Sequence, residues 1–552
     1  MTTVRPTTVV LALGACGLPV YDAVPGTTTG EETGGSGSSG ESSGAPAEDL
    51  PPTCAPGMVR ACYGGPPRTV DIGACRQGSE TCGDDGEWGE CLGEVVPRSE
   101  VCGDTEDLAC DGPSTCGAHL WSRVFGGSYL FWAYAAAVDS AGNIALAGTL
   151  STSALTIGDD YLDAATDLAP WVAKFGPDGA PQWARLIGDT SGGNGYAFSA
   201  PTRDGDVTFD ADGNVLVTGL CIGDVDFGSG PIPGEDFDPI VAKFSPTGDR
   251  LWGRRFSGAA GEVFSAPHMA LATTPTGDIW LAGAVDGQMM LDDIEVVSAG
   301  YADVLIVHLD PDGTLLGHAR HGDGGQQKAT AIAIDAAGEI FVAGYVEGEL
   351  GLAGLASAGL SDAFLAKFDA AGTLRWARLF GDEYDQSATG VAAIGDRIVI
   401  SGTFNSSITL GGGEFHAPYG EWDWETQGFL GSFTADGEHL WSRRVVAAET
   451  LRASPDRIVV AGWCAADGFI GGGGTFGAIE GGCPIVFTID GAPLWHRNVD
   501  YVPLSGDWPQ MVAVARGGEV ILAVAQAGTR DLGGGDLSSG EEYGLFLAAY
   551  AP

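Results

Sequence analysis

With 73 acidic against 26 basic side chains, the 552-residue chain has a formal net charge of -47, which disfavours phosphate backbones and excludes nucleic acid as a partner. The length exceeds one ordinary domain, and 89 glycines without a collagen period call for many turns. Nine of the 12 cysteines precede residue 117, a density that suits an oxidising compartment.

The chain opens with MTTVRPTTVVLALGAC, one Arg followed by a short apolar run and small residues before Cys16. Leu13-Gly14-Ala15-Cys16 resembles a bacterial lipobox, which implies that residues 1–16 form a lipoprotein signal segment and that Cys16 is lipidated. No other apolar run approaches the roughly 20 residues of a transmembrane helix. The expected site is therefore the bacterial cell envelope, as an outer-membrane lipoprotein or a secreted protein, touching membrane through the lipid anchor only. Residues 17–53 are rich in Gly, Ser, Thr and Glu and cannot bury enough surface to offset their ordering entropy, so they read as a flexible linker.

Residues 54–116 carry eight cysteines, Cys54, Cys62, Cys75, Cys82, Cys91, Cys102, Cys110 and Cys116, with no Cys-x-x-Cys pair. That spacing argues against zinc and for a small module stapled by disulfides, whose pairing the spacing leaves open. The stretch RACYGGPPRTVDIGACRQGSETCGDDGEWGECLGEVVPRSEVCG resembles a Cys-rich module of bacterial surface proteins named for a metal-binding motif. Its acidic end, Asp104, Glu106, Asp107 and Asp111, offers the carboxylate oxygens that calcium prefers. Solvated acidic loops explain the same residues without an ion; no other cofactor is called for.

From residue 117 onward one unit recurs. Its clearest copy pairs SDAFLAKFDAAGTLRWARLFGD (361–382), a hairpin with a Gly-ended turn, with the preceding strand-like pieces TAIAI (330–334) and IFVAGY (340–345). Trp121, Trp183, Trp252, Trp376, Trp441 and Trp495 mark the hairpin's second half, with His318 taking the slot in the fourth copy. Four strands per repeat, near-continuous apolar second and third strands, and periodic Gly turns predict an all-β, seven-bladed propeller of four-stranded antiparallel blades over residues 117–552. First strands fall near Ala135, Val207, Met269, Thr330, Thr389, Thr450 and Met511. The last repeat lacks a fourth strand and Leu120–Phe125 lacks a blade, so the N-terminal strand is expected to close the blade of residues 511–550. The repeat residues resemble the bacterial β-propeller repeat known as SBBP, which implies a secreted or surface propeller with no assigned activity.

Two connections per blade, such as DAAGE (335–339) and DAAG (369–372), are short and uniform. Asp side chains bonding their own turns account for them without metal, and inter-blade packing accounts for the recurring Trp and Arg. The other two connections read as long and different in every copy, which points to that face for function. It holds aromatic clusters, with Trp132, Tyr196, Tyr419, Trp422, Trp424 and Trp508 as ligand-contact candidates; Trp422 and Trp424 lie among carboxylates in YGEWDWETQ. Such rings suit a sugar or a protein hot spot. Cys464 and Cys483 flank one such loop and are expected to form a disulfide, leaving Cys221. No Gly-x-Ser-x-Gly, His-Glu-x-x-His or phosphate loop occurs, and no catalytic residue is named. The expectation is a surface propeller binding a protein or carbohydrate. The alternatives are a propeller hydrolase or lyase, marked by acid–base groups converging at one end of the channel, and a spacer without a site.

Overall fold

The computed structural model describes residues 54–97, 117–164, 168–187, 189–191, 205–221, 224–234, 238–258, 269–352, 354–417, 427–445, 450–464, 469–470, 474–475, 481–497, 511–514 and 517–552. The chain divides into two compact units, Met1–Arg60 with Glu80–Glu90 and Ala61–Ser79 with Cys91–Pro552. In the described part of the first, Cys54 is bonded to Cys82 and the Arg60 guanidinium stacks 4.0 Å from the Trp88 ring centre. The second holds the Cys62–Cys91 disulfide and the whole propeller. Cys75 is also disulfide-bonded. Cys16, Cys102, Cys110, Cys116 and the acidic set Asp104, Glu106, Asp107 and Asp111 lie outside the described residues. Among the described residues no helix is long and apolar enough to cross a membrane.

Seven four-stranded antiparallel blades form the propeller. In blade 4 the strands are Gln327–Ile334, Ile340–Val346, Asp362–Phe368 and Leu374–Phe380, hydrogen-bonded in chain order. The third strand is buried at every residue, because blades pack on both of its faces. Seven apolar clusters fill the seven interfaces, each drawing on two adjacent blades. The expected first strands are all present, from the strand containing Ala135 to Met511–Val514.

Ring closure follows the predicted route and goes further than expected. His119–Val138 is one continuous strand. Its first part pairs with the last strand, from His119 opposite Tyr550 to Gly126 opposite Gly544. Its second part is the first strand of blade 1, from Gly127 opposite Leu155 to Val138 opposite Ile144. No loop therefore separates blade 7 from blade 1. Trp132, expected on a loop, lies in this strand with Tyr129, Phe131 and Tyr134; Phe131 is fully buried and Trp132 half-buried.

Adjacent blades are tied at the fourth-strand tryptophans. The indole N–H groups of Trp121, Trp183, Trp252, Trp376 and Trp441 donate to the carbonyls of Pro177, Pro246, Pro311, Ala435 and Ile489, each in the hairpin turn of the next blade, at 3.0–3.3 Å. The turn glycine beside each carbonyl has positive φ and lies against the ring; a Cβ on Gly179 would come within 2.4 Å of Trp121. Blade 7 has no such turn, since its third and fourth strands come from opposite chain ends. The Gly117 N–H donates to the Ala551 carbonyl at 3.2 Å and the Ala551 N–H to the Ala118 carbonyl at 2.8 Å, which rebuilds it, and Gly117, at φ 60°, lies on Trp495.

One assignment is corrected by register. Trp376 stands opposite Lys367, whereas the residue opposite the equivalent His308 is Gly317. Gly317, not His318, therefore occupies the tryptophan slot of blade 3. The spacing shows why: each slot lies four residues after its turn glycine, as Gly372 precedes Trp376, and Gly313 precedes Gly317. The imidazole one place on imitates the aromatic pattern.

Removing residues 119–126 is expected to unpair the last blade and expose the edge of Asp536–Tyr550. Calorimetry should show the propeller's main cooperative transition lost or split in the deletion variant and intact in the parent. An unchanged transition contradicts closure by this strand.

Candidate functional site

The two ends of the propeller differ in how their connections are held. At one end the short turns are self-contained. Asp139, Asp210 and Asp335 each accept two backbone N–H bonds from residues two and four places on, at 2.8–3.0 Å. Asp310 and Asp369 do the same in the other set of turns. These carboxylates are occupied by their own backbones, as an Asx turn requires. Among the described residues no group of three His, Cys, Asp or Glu is placed to hold a metal ion.

A buried ion pair reinforces this end. Lys243 Nζ lies 3.0 Å from Asp210 Oδ2, with side chains 7% and 4% exposed. Burial pushes the Asp210 carboxyl up, but hydrogen bonds from Asn214 and Lys243 outweigh it and hold the group below its ordinary 3.8.

The channel is lined by first strands of all seven blades, with Ala136, Val207, Leu271, Ile332, Val391, Leu451 and Val514 around a space of 310 Å³. Two charged side chains enter its described lining, and they are spent on each other. Arg452, from blade 6, reaches Asp206 of blade 2 at 3.4 Å and the Ala136 carbonyl of blade 1 at 3.3 Å. Asp206 also accepts from the N–H groups of Val207 and Leu271. The pair crosses the channel as a brace. Sequence reasoning missed it, although Arg452 is a charged residue in a class of strands made mainly of apolar and small residues.

At the opposite end the second-to-third-strand connections, expected to differ in every copy, share one form instead: each turns back as a small hairpin, with Ile157 opposite Asp160, Asp226 opposite Pro231, Leu291 opposite Ile294, Glu349 opposite Ala356, Thr409 opposite Glu414, Ile470 opposite Gly474 and Asp531 opposite Asp536. Blade 3 sends out a long hairpin, Ile279–Leu291 with Ile294–Leu309, and blade 7 another, Val520–Asp531 with Asp536–Tyr550. Blade 5 carries the small hairpin Ser407–Thr409 with Glu414–His416. Tyr161, Tyr301, Ile294 and Val297 are exposed on these excursions. Tyr196, Tyr419, Trp422, Trp424 and Trp508 lie outside the described residues. Cys464 and Cys483 fall on paired strands but two places out of opposition, Cys464 facing Gly481 and Cys483 facing Gly462; their side chains lie outside the description. Cys221 is buried and free, and burial pushes its thiol up to about 12.

The expectation that fourth-to-first connections are long in every copy is corrected. Two of them are five residues, 322–326 and 381–385, and share a pattern, Gly322-Asp323-x-x-x-Gln327 and Gly381-Asp382-x-x-x-Gln386. Gln386 Nε2 donates to Asp382 Oδ1 at 2.6 Å and its Oε1 accepts from the Asp382 N–H at 3.1 Å. Gln327 and Asp323 repeat both contacts. The glycine is obligatory because a Cβ on Gly381 would lie 2.4 Å from both Asp362 Oδ1 and Gln386 Oε1. Asp362 Oδ1 is buried and has no hydrogen-bond partner. Desolvation, with Asp382 nearby, raises the Asp362 pKa.

No family model matches the chain, and no curated protein does. Solved structures similar to it include the acylaminoacyl peptidase of Pyrococcus horikoshii, at 9% identity over 74% of this chain and 52% of that one, TM-score 0.37. This chain thus matches about half of that peptidase's length. The β-propeller domain of the Trilobed protease from Pyrococcus furiosus is similar at 8% identity over 76% and 95%, TM-score 0.35. The α-L-arabinanase of Penicillium chrysogenum is similar at 10% identity over 78% and 99%, TM-score 0.35. Likenesses this distant carry nothing about activity; the class of the chain, a seven-bladed propeller closed by its N-terminal strand, rests on its own strand pairing.

Two pH dependences follow. Asp210, with its folded pKa depressed, contributes stability that is complete above 3.8 and lost as pH falls through the lower folded value. Asp210→Asn strands the Lys243 ammonium, so denaturant unfolding at pH 7 should show a loss of about 3 kcal/mol, shrinking in strong acid. Asp362 has the opposite sign: its folded pKa is raised, so stability is fullest below 3.8 and falls as pH rises through the folded value. Asp362→Asn supplies a donor for Gln386 and should stabilise by about 1 kcal/mol at pH 7, with the gain vanishing near pH 3. A gain independent of pH contradicts the assignment.

Proposed function

We propose that the protein is an exported, lipid-anchored cell-surface propeller of the bacterial SBBP type that binds a protein or a carbohydrate through the end carrying the long connections. The observation that carries this reading is the contrast between the ends. One set of turns is closed on itself by Asp side chains in blade after blade, while the other end projects a hairpin from each blade whose side chains differ from copy to copy and whose length is greatest in blade 5, residues 405–426. A rigid scaffold with one uniform and one diversified face is the arrangement by which loops carry recognition.

The channel favours binding over catalysis. A hydrolase or lyase needs acid–base groups converging on a space open to substrate; the described inner lining offers an Arg–Asp brace among Ala, Val, Leu and Ile, and at the turn end Asp139, Asp210 and Asp335 line a wider space but are engaged by their own turns, Asp210 also by Lys243. Cys16 would supply the anchor and residues 17–53 the reach that holds the propeller off the membrane.

The reading is tested with the full chain on glycan arrays and in pull-downs from cell-surface extracts. One variant replaces residues 418–426 by a Gly-Ser link, and another shortens the 279–309 hairpin. Loss of specific binding by at least about tenfold, or 1.4 kcal/mol, with unchanged melting temperature is expected for at least one. Specific binding that survives both replacements, or is lost only on mutating the short Asp-Gly turns, contradicts it.

A further inference from the structure

Six of the seven blades place an indole in the fourth-strand slot against the next blade. Blade 3 places Gly317 there. The missing side chain is partly covered from within: Trp280, on the second strand of the same blade, brings its ring edge to Gly372, the turn glycine of blade 4, where a Cβ would be 2.9 Å away. The cover is incomplete. A cavity of 180 Å³ remains, lined by Trp280, His308, Gly317, His318, Phe368 and Gly372 among others.

The walls are suited to a flat ring rather than to water alone. Trp280 and His308 stack face to face with centroids 4.0 Å apart and planes at 10°, a rigid pair of parallel rings at the cavity wall. Ile306, Ile340 and Phe368 supply apolar sides. Trp280 is 4% exposed, and neither its Nε1 nor the His308 Nε2 has a hydrogen-bond partner. Burial lowers the His308 pKa, keeping the imidazole neutral near pH 7. The turn residue equivalent to the carbonyl acceptors of the other interfaces is Ala370, two places before Gly372. A ring with an N–H donor would thus meet the chemistry that the protein's own indoles meet elsewhere. An apolar cavity of about 150 Å³ is known to take up benzene, so the volume is adequate.

We propose that the interface of blades 3 and 4 is a binding site for a small planar aromatic molecule of indole size, in the place of the tryptophan that blade 3 lacks. The ligand packs against the Trp280–His308 stack and completes the packing between two blades, so its binding stabilises the folded ring by mass action. Trp280 and His308 pair at the end of the blade 3 strands opposite the Leu291–Ile294 tip, so the site stands independently of the surface-binding role.

The test is titration of the full chain with indole, followed by calorimetry and saturation-transfer NMR, alongside thermal melts. One saturable site per chain and a melting temperature that rises with indole concentration are expected. Gly317→Trp fills the cavity and should weaken indole binding at least tenfold while raising the melting temperature without ligand. Gly317→Leu, a smaller intrusion, serves where the Trp variant is overpacked, with circular dichroism reporting that the fold is kept; it should also weaken binding. Absence of saturable binding to the parent protein, or equal binding by a folded Gly317 variant, overturns the proposal.

Discussion

The ring depends on one stretch of backbone pairing, between His119–Gly126 and Gly544–Tyr550. Every other blade is a local product of the chain, made of strands joined by short turns and loops. Blade 7 alone is assembled from the two chain ends, and without it the propeller is an open arc with an exposed edge and an uncovered interface on each side. The join is reinforced by the same devices as the continuous blades. Gly117 takes the positive-φ position over Trp495, Arg497 donates to the Gly117 carbonyl at 3.0 Å, and its guanidinium lies 4.6 Å from the Tyr550 ring centre. The geometry of a hairpin turn is thus kept where no covalent turn exists.

Much of the fold was legible because the repeat is written in residues with narrow backbone demands. Asp followed three places later by Gly specifies a turn whatever surrounds it, and strands buried on both faces read as unbroken apolar runs. The copy at blade 3 was misaligned by one residue because an imidazole beside an empty slot resembles a substituted one. Spacing from the turn glycine, a backbone constraint, was the safer ruler than side-chain likeness. The aromatic run at 129–134 was misplaced for a related reason: its residues are compatible with a loop, and only pairing on both sides reveals an unbroken strand.

The candidate site was less legible. Arg452 and Asp206 are 246 residues apart, and no local pattern announces that two first strands face each other across an axis. The Gly-Asp-x-x-x-Gln connections could have been found, since both copies lie in plain sight at 322–327 and 381–386; the assumption that this end varies throughout concealed them. The aromatic candidates in the longest connections have no repeat partner to align with, so no backbone constraint in the sequence fixes their place.

The continuity of His119–Val138 also sets an order of events during synthesis. Its second half can pair with Ile144–Ile157 almost at once, whereas its first half must wait for a partner that begins 418 residues beyond Gly126 (544 − 126). At translation rates of about 5–20 residues per second, that interval is roughly 20 to 80 s. Throughout it, a half-committed strand presents Val124 and Phe125 and an open backbone edge to whatever is nearby. The nascent chain therefore carries its own adhesive end, exposed until the last blade emerges to cover it.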